Sequence, residues 1–354
     1  MDGPDLHPPA ERQVAAFRRA VDGFGPGPVL ILGHSDADGL AASVILGRGL
    51  ERSGRQVALR ILRRGESPWS PEMRDEVAGR APGGLIVTDL GLRDAPIAPG
   101  VPTLFVDHHV PQGMPDHATV ISGHGADPQP TSSLLAFRCA ASLAPADDLL
   151  WLAALGVIGD MAEAGGFPEM EEARRRHGIT VLRKAASLVN QPRRSASGDP
   201  APALALLLKC RDPREVLSGV HPETAALIAA REEVRAAVAA ARRTAPRVVG
   251  DVALIRFTSP CQVHPLVAQA WTGRIRDRVV LAANTGFRPG WVHFAVRTAK
   301  DVDLIAFLAR HAPPGADEHY GSGHARATGS ALRNREWNVF VRGLGFGPDM
   351  EAAE

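Results

Sequence analysis

Four short segments carry side chains that bind metal ions in proteins. The first reads Gly-His-Ser-Asp-Ala-Asp-Gly, and the later three read Val-Thr-Asp-Leu-Gly, Val-Asp-His-His and Gly-Val-Ile-Gly-Asp. Together they supply these carboxylates and imidazoles, in chain order: His34, Asp36, Asp38, Asp89, Asp107, His108, His109 and Asp160. Taken singly, each has an ordinary structural explanation, since Asp36 and Asp38 suit the N-terminus of a helix and Asp89 suits a turn.

A different interpretation applies if these side chains lie close together in the folded chain. Several carboxylates gathered at one place repel one another at a cost of several kcal/mol unless cations neutralise them. Mixed Asp and His ligands without cysteine suit manganese, magnesium or zinc. Two such ions about 3.5–4 Å apart activate a water molecule and hold a phosphoryl group during its displacement. The pattern therefore favours a site for divalent metal ions.

Most of these segments come directly after predicted strands. Short apolar runs bounded by turn residues predict buried strands at 29–32, 57–62, 84–88 and 103–106. Helical spacing follows at 39–52, 131–143 and 147–162. Strands alternating with helices predict a mostly parallel α/β sheet, which binds its ligands beyond the carboxyl ends of the strands.

The second half of the chain predicts a smaller α/β domain. An alanine-rich helix is expected at 222–244, after a polar stretch at 190–202 that suits a domain boundary or a long surface loop. Beyond it, strands are predicted near 252–257, 279–283, 291–297 and 337–341, with helices near 264–274 and 302–310. We therefore expect a catalytic domain at 1–190, a linker and connector helix at 191–245, and a substrate-binding domain at 246–354.

Composition and charge exclude some classes of protein. The 354 residues carry a formal net charge of +1, which divides into −5 for residues 1–190 and +6 for residues 191–354. Neither part is basic enough for a protein that coats nucleic acid. We find no apolar run long enough to span a membrane and no secretion signal, and the three scattered cysteines argue against a disulfide framework, so we expect a cytoplasmic protein.

The four segments, in this order and spacing, resemble the motifs of the DHH phosphoesterase superfamily, named for the run seen here at 107–109. The resemblance covers most of residues 29–165, and the form of the first motif is closer to RecJ-type nucleases than to nanoRNases. It implies two divalent ions, manganese in preference to magnesium. The implied ligands of one ion are His34 and Asp36, those of the other are Asp38, His108 and Asp160, and Asp89 bridges the two. It also implies that His109 lies beside the substrate phosphate and that Asp107 orients a neighbouring histidine.

A glycine-rich segment, Tyr-Gly-Ser-Gly-His-Ala-Arg-Ala-Thr-Gly at 320–329, carries a second resemblance. Alone it would suit a surface turn, but its glycines also allow backbone N–H groups to approach an anion. It resembles the Gly-Gly-Gly-His-Pro motif of the DHH-associated domain, with Ser322 in place of a glycine and Ala325 in place of the proline. The implied substrate-binding residues are Gly321, Ser322, Gly323, His324 and Arg326, together with Arg297, for which a surface ion pair is the alternative.

Other residues leave two interpretations open. His264 suits either a helix terminus or a substrate contact, and Trp271, Trp291 and Phe294 suit either core packing or base stacking.

We therefore expect a hydrolase that cleaves single-stranded DNA or RNA, or short oligonucleotides, to nucleoside 5′-monophosphates, from the 5′ end by the resemblance to RecJ. The alternatives are a 3′-phosphoadenosine-5′-phosphate phosphatase or a cyclic-dinucleotide phosphodiesterase, and a non-catalytic replication or repair partner. The sequence leaves the oligomeric state open, a homodimer included.

Overall fold

The computed structural model describes residues 10–316, 320–321, 323–324 and 326–353, without the side chains of 323 and 324. The chain divides into two compact units. Unit 1 contains the described residues up to Arg193 together with Asp199–Ile228. Unit 2 contains Arg194–Gly198 and the described residues from Ala229 onward. No helix in the described part of the chain is both long and apolar enough to cross a membrane.

Unit 1 is built on a five-stranded sheet in which every pairing is parallel. Its strands are β1 (Val29–Gly33), β2 (Val57–Ile61), β3 (Gly84–Thr88), β4 (Thr103–Asp107) and β5 (Ala118–Ser122). They lie in the order β2-β1-β3-β4-β5. The register pairs Gly33 with Thr88 and Asp107 with Ser122, so the carboxyl ends of the strands meet at one edge. The predicted parallel α/β fold is confirmed, and β5 is a strand that the sequence pattern did not indicate.

Alternate residues of these strands pack into two different cores. Ile31, Ile86 and Val106 belong to one large apolar cluster, whereas Leu32, Val87 and Phe105 belong to another. The helices of unit 1 are α1 (Ala10–Asp22), α2 (Ala37–Arg52), α3 (Pro71–Arg80), α4 (Ser132–Leu143), α5 (Leu150–Gly159), α6 (Pro168–His177), α7 (Ile179–Val189), α8 (Ala201–Lys209) and α9 (Pro213–Ser218). The first cluster contains buried residues of α2, α4 and α5, and the second contains those of α3. The three central strands β1, β3 and β4, which have apolar residues on both faces, are therefore buried along their whole length.

The helix predicted at 222–244 is α10 (Glu223–Ala241). The division between the two units falls within it, between Ile228 and Ala229.

Unit 2 contains a mixed six-stranded sheet in the order β10-β11-β9-β8-β7-β6. Its elements are β6 (Arg247–Val249), β7 (Val252–Phe257), α11 (His264–Thr272), β8 (Val279–Arg288), β9 (Trp291–Thr298), α12 (Leu304–Arg310), β10 (Gly323–His324), β11 (Ala327–Arg333) and α13 (Asn334–Gly343). Only β7 and β8 pair in parallel among the described strands of this sheet.

The strand expected at 337–341 is wrong, because these residues lie in α13. Trp337, Phe340 and Val341 are buried while Val339 is exposed, which is the spacing of one helix face rather than the alternation of a strand. A short run of aromatic and β-branched residues does not distinguish the two by itself. The neighbouring strand is instead β11, whose small polar residues gave little strand signal.

Candidate metal centre

Most of the predicted ligands meet at the carboxyl edge of the unit 1 sheet. His34 and Asp36 follow β1, Asp89 follows β3, and His108 follows β4. Asp160 comes from outside the sheet, as the residue that ends α5. The parallel register of the strands is what brings residues so distant in sequence together.

The loop after β1 places Asp36 at the N-terminus of α2, where its Oδ1 accepts the N–H of Gly39 at 3.0 Å. A Cβ at position 39 would lie 2.6 Å from both the Cβ and the carbonyl oxygen of His34, so only glycine allows this tight turn. The main-chain N–H of Ala37 donates to Asn190 Oδ1 at 3.0 Å. Asp36 is thus a helix cap, and its second oxygen remains available to the site.

His34, Asp36 and Asp89 form the first of two main groups, and a third set, Asp89, His108 and His109, overlaps the second of them. The Nδ1 of His34 lies 3.1 Å from Asp36 Oδ2 and 3.4 Å from Asp89 Oδ2. Arg193 approaches the same oxygen of Asp36 from one side, with its Nη2 at 3.7 Å.

The second group consists of Asp38, Asp89, His108 and Asp160. The Nε2 of His108 lies 3.1 Å from Asp160 Oδ2, 3.5 Å from Asp89 Oδ1 and 4.0 Å from Asp38 Oδ2. In each of the two groups the possible ligand atoms lie within 4.8 Å of one another.

Asp89 belongs to both groups, and the chain is bent to put it there. Its backbone has a φ of 62°, in the left-handed region that few residues other than glycine adopt. The side chain is 2% exposed, and its Oδ1 accepts a hydrogen bond from the hydroxyl of Ser132 at 2.9 Å. Asp89 therefore presents one carboxylate oxygen to each group.

Asp38 is held by the first residues of α4. Its Oδ2 accepts the N–H of Ser132 at 2.8 Å, and its Oδ1 accepts the N–H of Ser133 at 3.0 Å. The helix N-terminus stabilises a carboxylate there. A Cβ at Gly156 would lie 2.2 Å from Asp38 Oδ1, so α5 can pass this close only with glycine. The sequence pattern does not indicate these supporting residues, and their only local signal is Thr-Ser-Ser at the start of a predicted helix.

Asp107 is buried and contacts its neighbour His109. Its Oδ1 accepts the main-chain N–H of His109 at 2.8 Å and lies 2.9 Å from His109 Nδ1, while its Oδ2 accepts the N–H of Gly91 at 2.8 Å. The side chain of His109 is 50 % exposed, and its ring packs edge-on against that of His108 with centroids 4.7 Å apart. With Nδ1 engaged by Asp107, Nε2 is the ring nitrogen left to a ligand.

The histidines of the centre have raised pKa values. Burial alone would lower the pKa of His34, but Asp36 and Asp89 outweigh it and raise that pKa to about 10. Burial likewise opposes Asp160 and Asp89, which raise the pKa of His108 to about 11. Against burial, Asp107 raises the pKa of His109 to about 9.

The pKa values of the aspartates of the centre are shifted in opposite directions. Burial and the charge of Asp89 raise the pKa of Asp38 well above its usual value. Burial, opposed by His108, also raises the pKa of Asp160, whereas Asp36 has a pKa well below the usual value because His34 and Arg193 outweigh its burial. Such mutual perturbation is typical of a functional site.

The donor set fits divalent cations. His34 Nδ1 and His108 Nε2 are buried and make no hydrogen bond of good geometry to any described residue, although carboxylate oxygens surround both. A buried nitrogen in that state is costly, and a cation bound to its lone pair removes the cost. Carboxylate and imidazole ligands without sulfur suit manganese, magnesium or zinc.

In unit 2, Arg297 lines a cleft of about 250 Å³, hereafter the Arg297 cleft, together with His264, Phe294, Thr328, Gly329 and Ser330. The Arg297 side chain lies at the end of β9, and its Nη1 donates to the carbonyls of Val296 at 2.9 Å and Thr328 at 3.1 Å. Burial lowers its pKa. No ion pair of Arg297 occurs among the described residues.

The glycine-rich segment forms a short antiparallel hairpin. Gly323 pairs with Thr328 and His324 with Ala327, and Gly321 has a φ of +74°. Arg326 is exposed, with its Nη2 3.3 Å from Asp301 Oδ1. Ser322 lies outside the described residues. The structure thus brings β11 beside Arg297, while Arg326 makes an ion pair on the surface.

The aromatic residues of unit 2 divide between core and surface. Phe294 is buried and stacks on Phe340 with ring centroids 5.5 Å apart, which favours core packing. Trp291 is partly exposed, with the guanidinium groups of Arg288 and Arg333 at 4.7 and 4.9 Å from its ring centroid.

No protein-family model matches the chain, and no curated protein sequence matches it either. Solved structures do. An exonuclease RecJ bound to manganese is 22% identical with a TM-score of 0.67, over 97% of this chain and 95% of that one. RecJ from Thermus thermophilus in complex with Mn²⁺ is 20% identical with a TM-score of 0.69, over 96% of this chain and 55% of that one. The DHH domain of a member of the S1p family of ribosomal proteins is 16% identical with a TM-score of 0.68, over 97% of this chain and 92% of that one.

The chain therefore has the two-domain fold of RecJ and DHH proteins, and the resemblance predicted from the sequence is confirmed at the level of the fold.

Proposed function

We propose that the chain is a metal-dependent phosphodiesterase that cleaves single-stranded nucleic acid or short oligonucleotides to nucleoside 5′-monophosphates. The observation that carries this proposal is the position of Asp89, whose two carboxylate oxygens face two separate groups of carboxylates and imidazoles. A residue shared in this way suits a pair of ions rather than one. The fold likeness to RecJ supports the same class of reaction.

In this proposal His34 and Asp36 hold one divalent ion, Asp38, His108 and Asp160 hold the other, and Asp89 contacts both. When bound, two such ions supply an activated water and neutralise charge on the phosphoryl group. Manganese is the first candidate, because the donor set fits it and RecJ has been crystallised with it.

The chain's own residues bind and orient the substrate. Asp107 fixes the ring of His109, so that Nε2 can donate a hydrogen bond to a non-bridging phosphate oxygen. Asp107 raises the pKa of His109 against the effect of burial, which favours the protonated ring and a charge-assisted hydrogen bond.

In unit 2, Arg297 and the glycine-rich hairpin bind further phosphates of the substrate. A guanidinium group suits phosphate because it offers paired donors and keeps its charge. Cleavage from the 5′ end is the polarity we propose, by analogy with RecJ.

The experiment compares four substrates with Mn²⁺ present: end-labelled single-stranded DNA, RNA of two to five nucleotides, 3′-phosphoadenosine 5′-phosphate and a cyclic dinucleotide. We expect 5′-monophosphates from the first two. If only the mononucleotide or the cyclic substrate is hydrolysed, the substrate assignment is wrong and one of the two alternatives replaces it.

The same assay tests the metal mechanism. Asp89→Asn keeps the size of the side chain but removes the charge that both groups share, and we expect activity to fall by about a thousandfold, as for the loss of several kcal/mol of stabilisation. Asp116→Asn is the matched control, because the Asp116 side chain is fully exposed and its carboxylate contacts only His117 among the described residues, at 3.6 Å. Full activity in Asp89→Asn would contradict the two-metal proposal.

A further inference from the structure

Unit 1 contains another group of side chains that could bind a metal ion, and it shares no residue with the candidate metal centre. Cys210, Glu215 and His221 place a thiol sulfur, a carboxylate oxygen and an imidazole nitrogen within 4.8 Å of one another. The group of His34, Asp36 and Asp89 lies within the same limit. We call these three residues the Cys210 cluster.

The local fold builds the cluster from the ends of helices. Cys210 is the residue that ends α8, its N–H donates to the carbonyl of Leu206 at 2.9 Å, and it is fully buried. Glu215 lies in α9 and is turned back, since its Oε2 accepts the N–H of Arg211 at 2.9 Å. Gly219, with a φ of +78°, ends α9 and reverses the chain toward His221.

The side chains point at one another rather than away. The Nε2 of His221 lies 3.9 Å from Glu215 Oε2, beyond hydrogen-bond distance. A carboxylate has about four acceptor positions, so the hydrogen bond from Arg211 leaves Glu215 able to bind a further group. The exposed fractions are 23% for the His221 side chain and 39% for that of Glu215, which leaves a route for an ion from solvent.

A second observation lies two residues beyond His221. The Oε2 of Glu223 is buried and has no hydrogen-bond partner among the described residues, while its Oε1 pairs with Lys209. A buried carboxylate oxygen without a partner is costly. Glu223, the first residue of α10, is not one of the three grouped ligands, but it adds negative charge near them, since burial and the charge of Glu223 both raise the pKa of Cys210.

The ligand types select the ion. Zinc is bound by cysteine sulfur, histidine nitrogen and carboxylate oxygen in four-coordinate sites. Manganese and magnesium prefer carboxylate and water oxygens, and thiolate favours softer ions. The cluster differs in this respect from the candidate metal centre, which contains no sulfur.

We propose that Cys210, Glu215 and His221 bind a zinc ion, which ties the end of α8 to α9 and to the chain entering α10. The proposal does not rest on the proposed function, because this ion would stabilise the fold and would take no part in phosphodiester cleavage.

Cobalt separates the two sites in one measurement. Co²⁺ replaces zinc with the same geometry, and only a thiolate ligand gives a near-ultraviolet sulfur-to-cobalt charge-transfer band. The full chain, stripped with a chelator and titrated with Co²⁺, should show this band. The band should persist in Asp89→Asn, which alters the candidate metal centre, and in Cys139→Ser, which alters another buried cysteine.

Two variants decide the outcome. Cys210→Ser should abolish the band, with circular dichroism confirming that the variant is folded. His221→Gln alters a partly exposed side chain and should fold, and we expect its Co²⁺ affinity at this site to fall by more than about tenfold. Absence of the band in the unaltered chain, its survival in Cys210→Ser, or an unchanged affinity in His221→Gln would each overturn the proposal.

Discussion

The candidate metal centre and the Arg297 cleft are built in opposite ways. The centre consists of charged side chains around the buried carboxylates of Asp38, Asp89 and Asp107, and N–H groups from distant parts of the chain fix the oxygens, as those of Ser132 and Ser133 fix Asp38. The cleft offers one partly buried guanidinium group, which donates to main-chain carbonyls beside a strand rich in small residues. The first arrangement requires added positive charge, and the second supplies it.

The division of charge along the sequence follows the same difference. Residues 1–190 carry a net −5 and residues 191–354 a net +6, so the near-neutral total conceals two opposite tendencies. We infer that substitutions near the centre change metal binding and the rate of the chemical step, and that substitutions in the cleft change substrate binding.

Among substitutions that leave the ligands themselves unchanged, Gly156→Ala should have the largest effect, and it acts on the centre. The new Cβ would lie 2.0 Å from Ser133 Oγ and 2.2 Å from Asp38 Oδ1, so α5 or Asp38 must move. Displacing a residue that orients metal ligands typically costs about 10–100-fold in metal affinity, and overpacking costs about 1–3 kcal/mol of stability. Calorimetric titration with Mn²⁺ and denaturant unfolding measure the two quantities.

Gly79→Ala is the control for that substitution. Gly79 also lies in a helix, α3, but a Cβ there would meet nothing within 4 Å. Replacing an exposed helical glycine by alanine should stabilise the fold by about 0.5–1 kcal/mol and leave Mn²⁺ affinity unchanged. Equal Mn²⁺ affinity in the two variants would show that Asp38 does not need its present position.

Arg297→Ala should act on the cleft, with a smaller effect. Loss of a charge-assisted hydrogen bond to a phosphate costs about 1.5–3 kcal/mol, so we expect KM to rise about tenfold or more while kcat changes little. Mn²⁺ affinity should not change. Arg276→Ala is the control, because Arg276 is an exposed arginine of the same unit, in the loop after α11. A fall in kcat at constant KM would remove the distinction between the two sites.

The sequence predicted the ligands of the centre better than it predicted their supports. Strand ends and the carboxylate and imidazole residues after them are local signals, and the parallel fold that unites them follows from alternation of strands and helices. The supports are tertiary: Asn190 caps Ala37 across 153 residues, and Ser132 bonds Asp38 across 94. No pattern within a short window of sequence indicates such pairs.

Unit 2 was harder to predict for a related reason. Helix α13 is fixed by contacts beyond its own segment, since the side chain of Asn338 bonds both the N–H and the carbonyl of Ala352. Strand β11 exists because it pairs with β9, and a Cβ at Gly329 would lie 2.5 Å from the carbonyl oxygen of Phe294. Small residues there permit close approach of the strands, a role that composition alone does not reveal.

The smallest expected effect is on the pH dependence of thermal stability, which should differ between substitutions in the metal centre and in the Arg297 cleft. The pKa values of His34, His108 and His109 are raised to about 10, 11 and 9, above the value near 6.5 expected in the unfolded chain. Groups with raised values contribute stability that is fully present below about pH 6.5 and is lost as pH rises through the folded values. The chelator-treated protein should therefore melt a few degrees lower at pH 9 than at pH 6.5.

Excess Mn²⁺ should reverse that trend, because imidazole binds a metal only after it loses its proton, so metal affinity rises with pH. Asp89→Asn should flatten the dependence of the chelator-treated protein, since Asp89 contributes to the raised pKa of all three histidines. Arg297→Ala should leave it unchanged, because an arginine does not titrate in this range. Thermal unfolding of the three proteins across this pH range tests the comparison, and a pH dependence altered equally by both variants would contradict the assignment of the titrating groups to the metal centre.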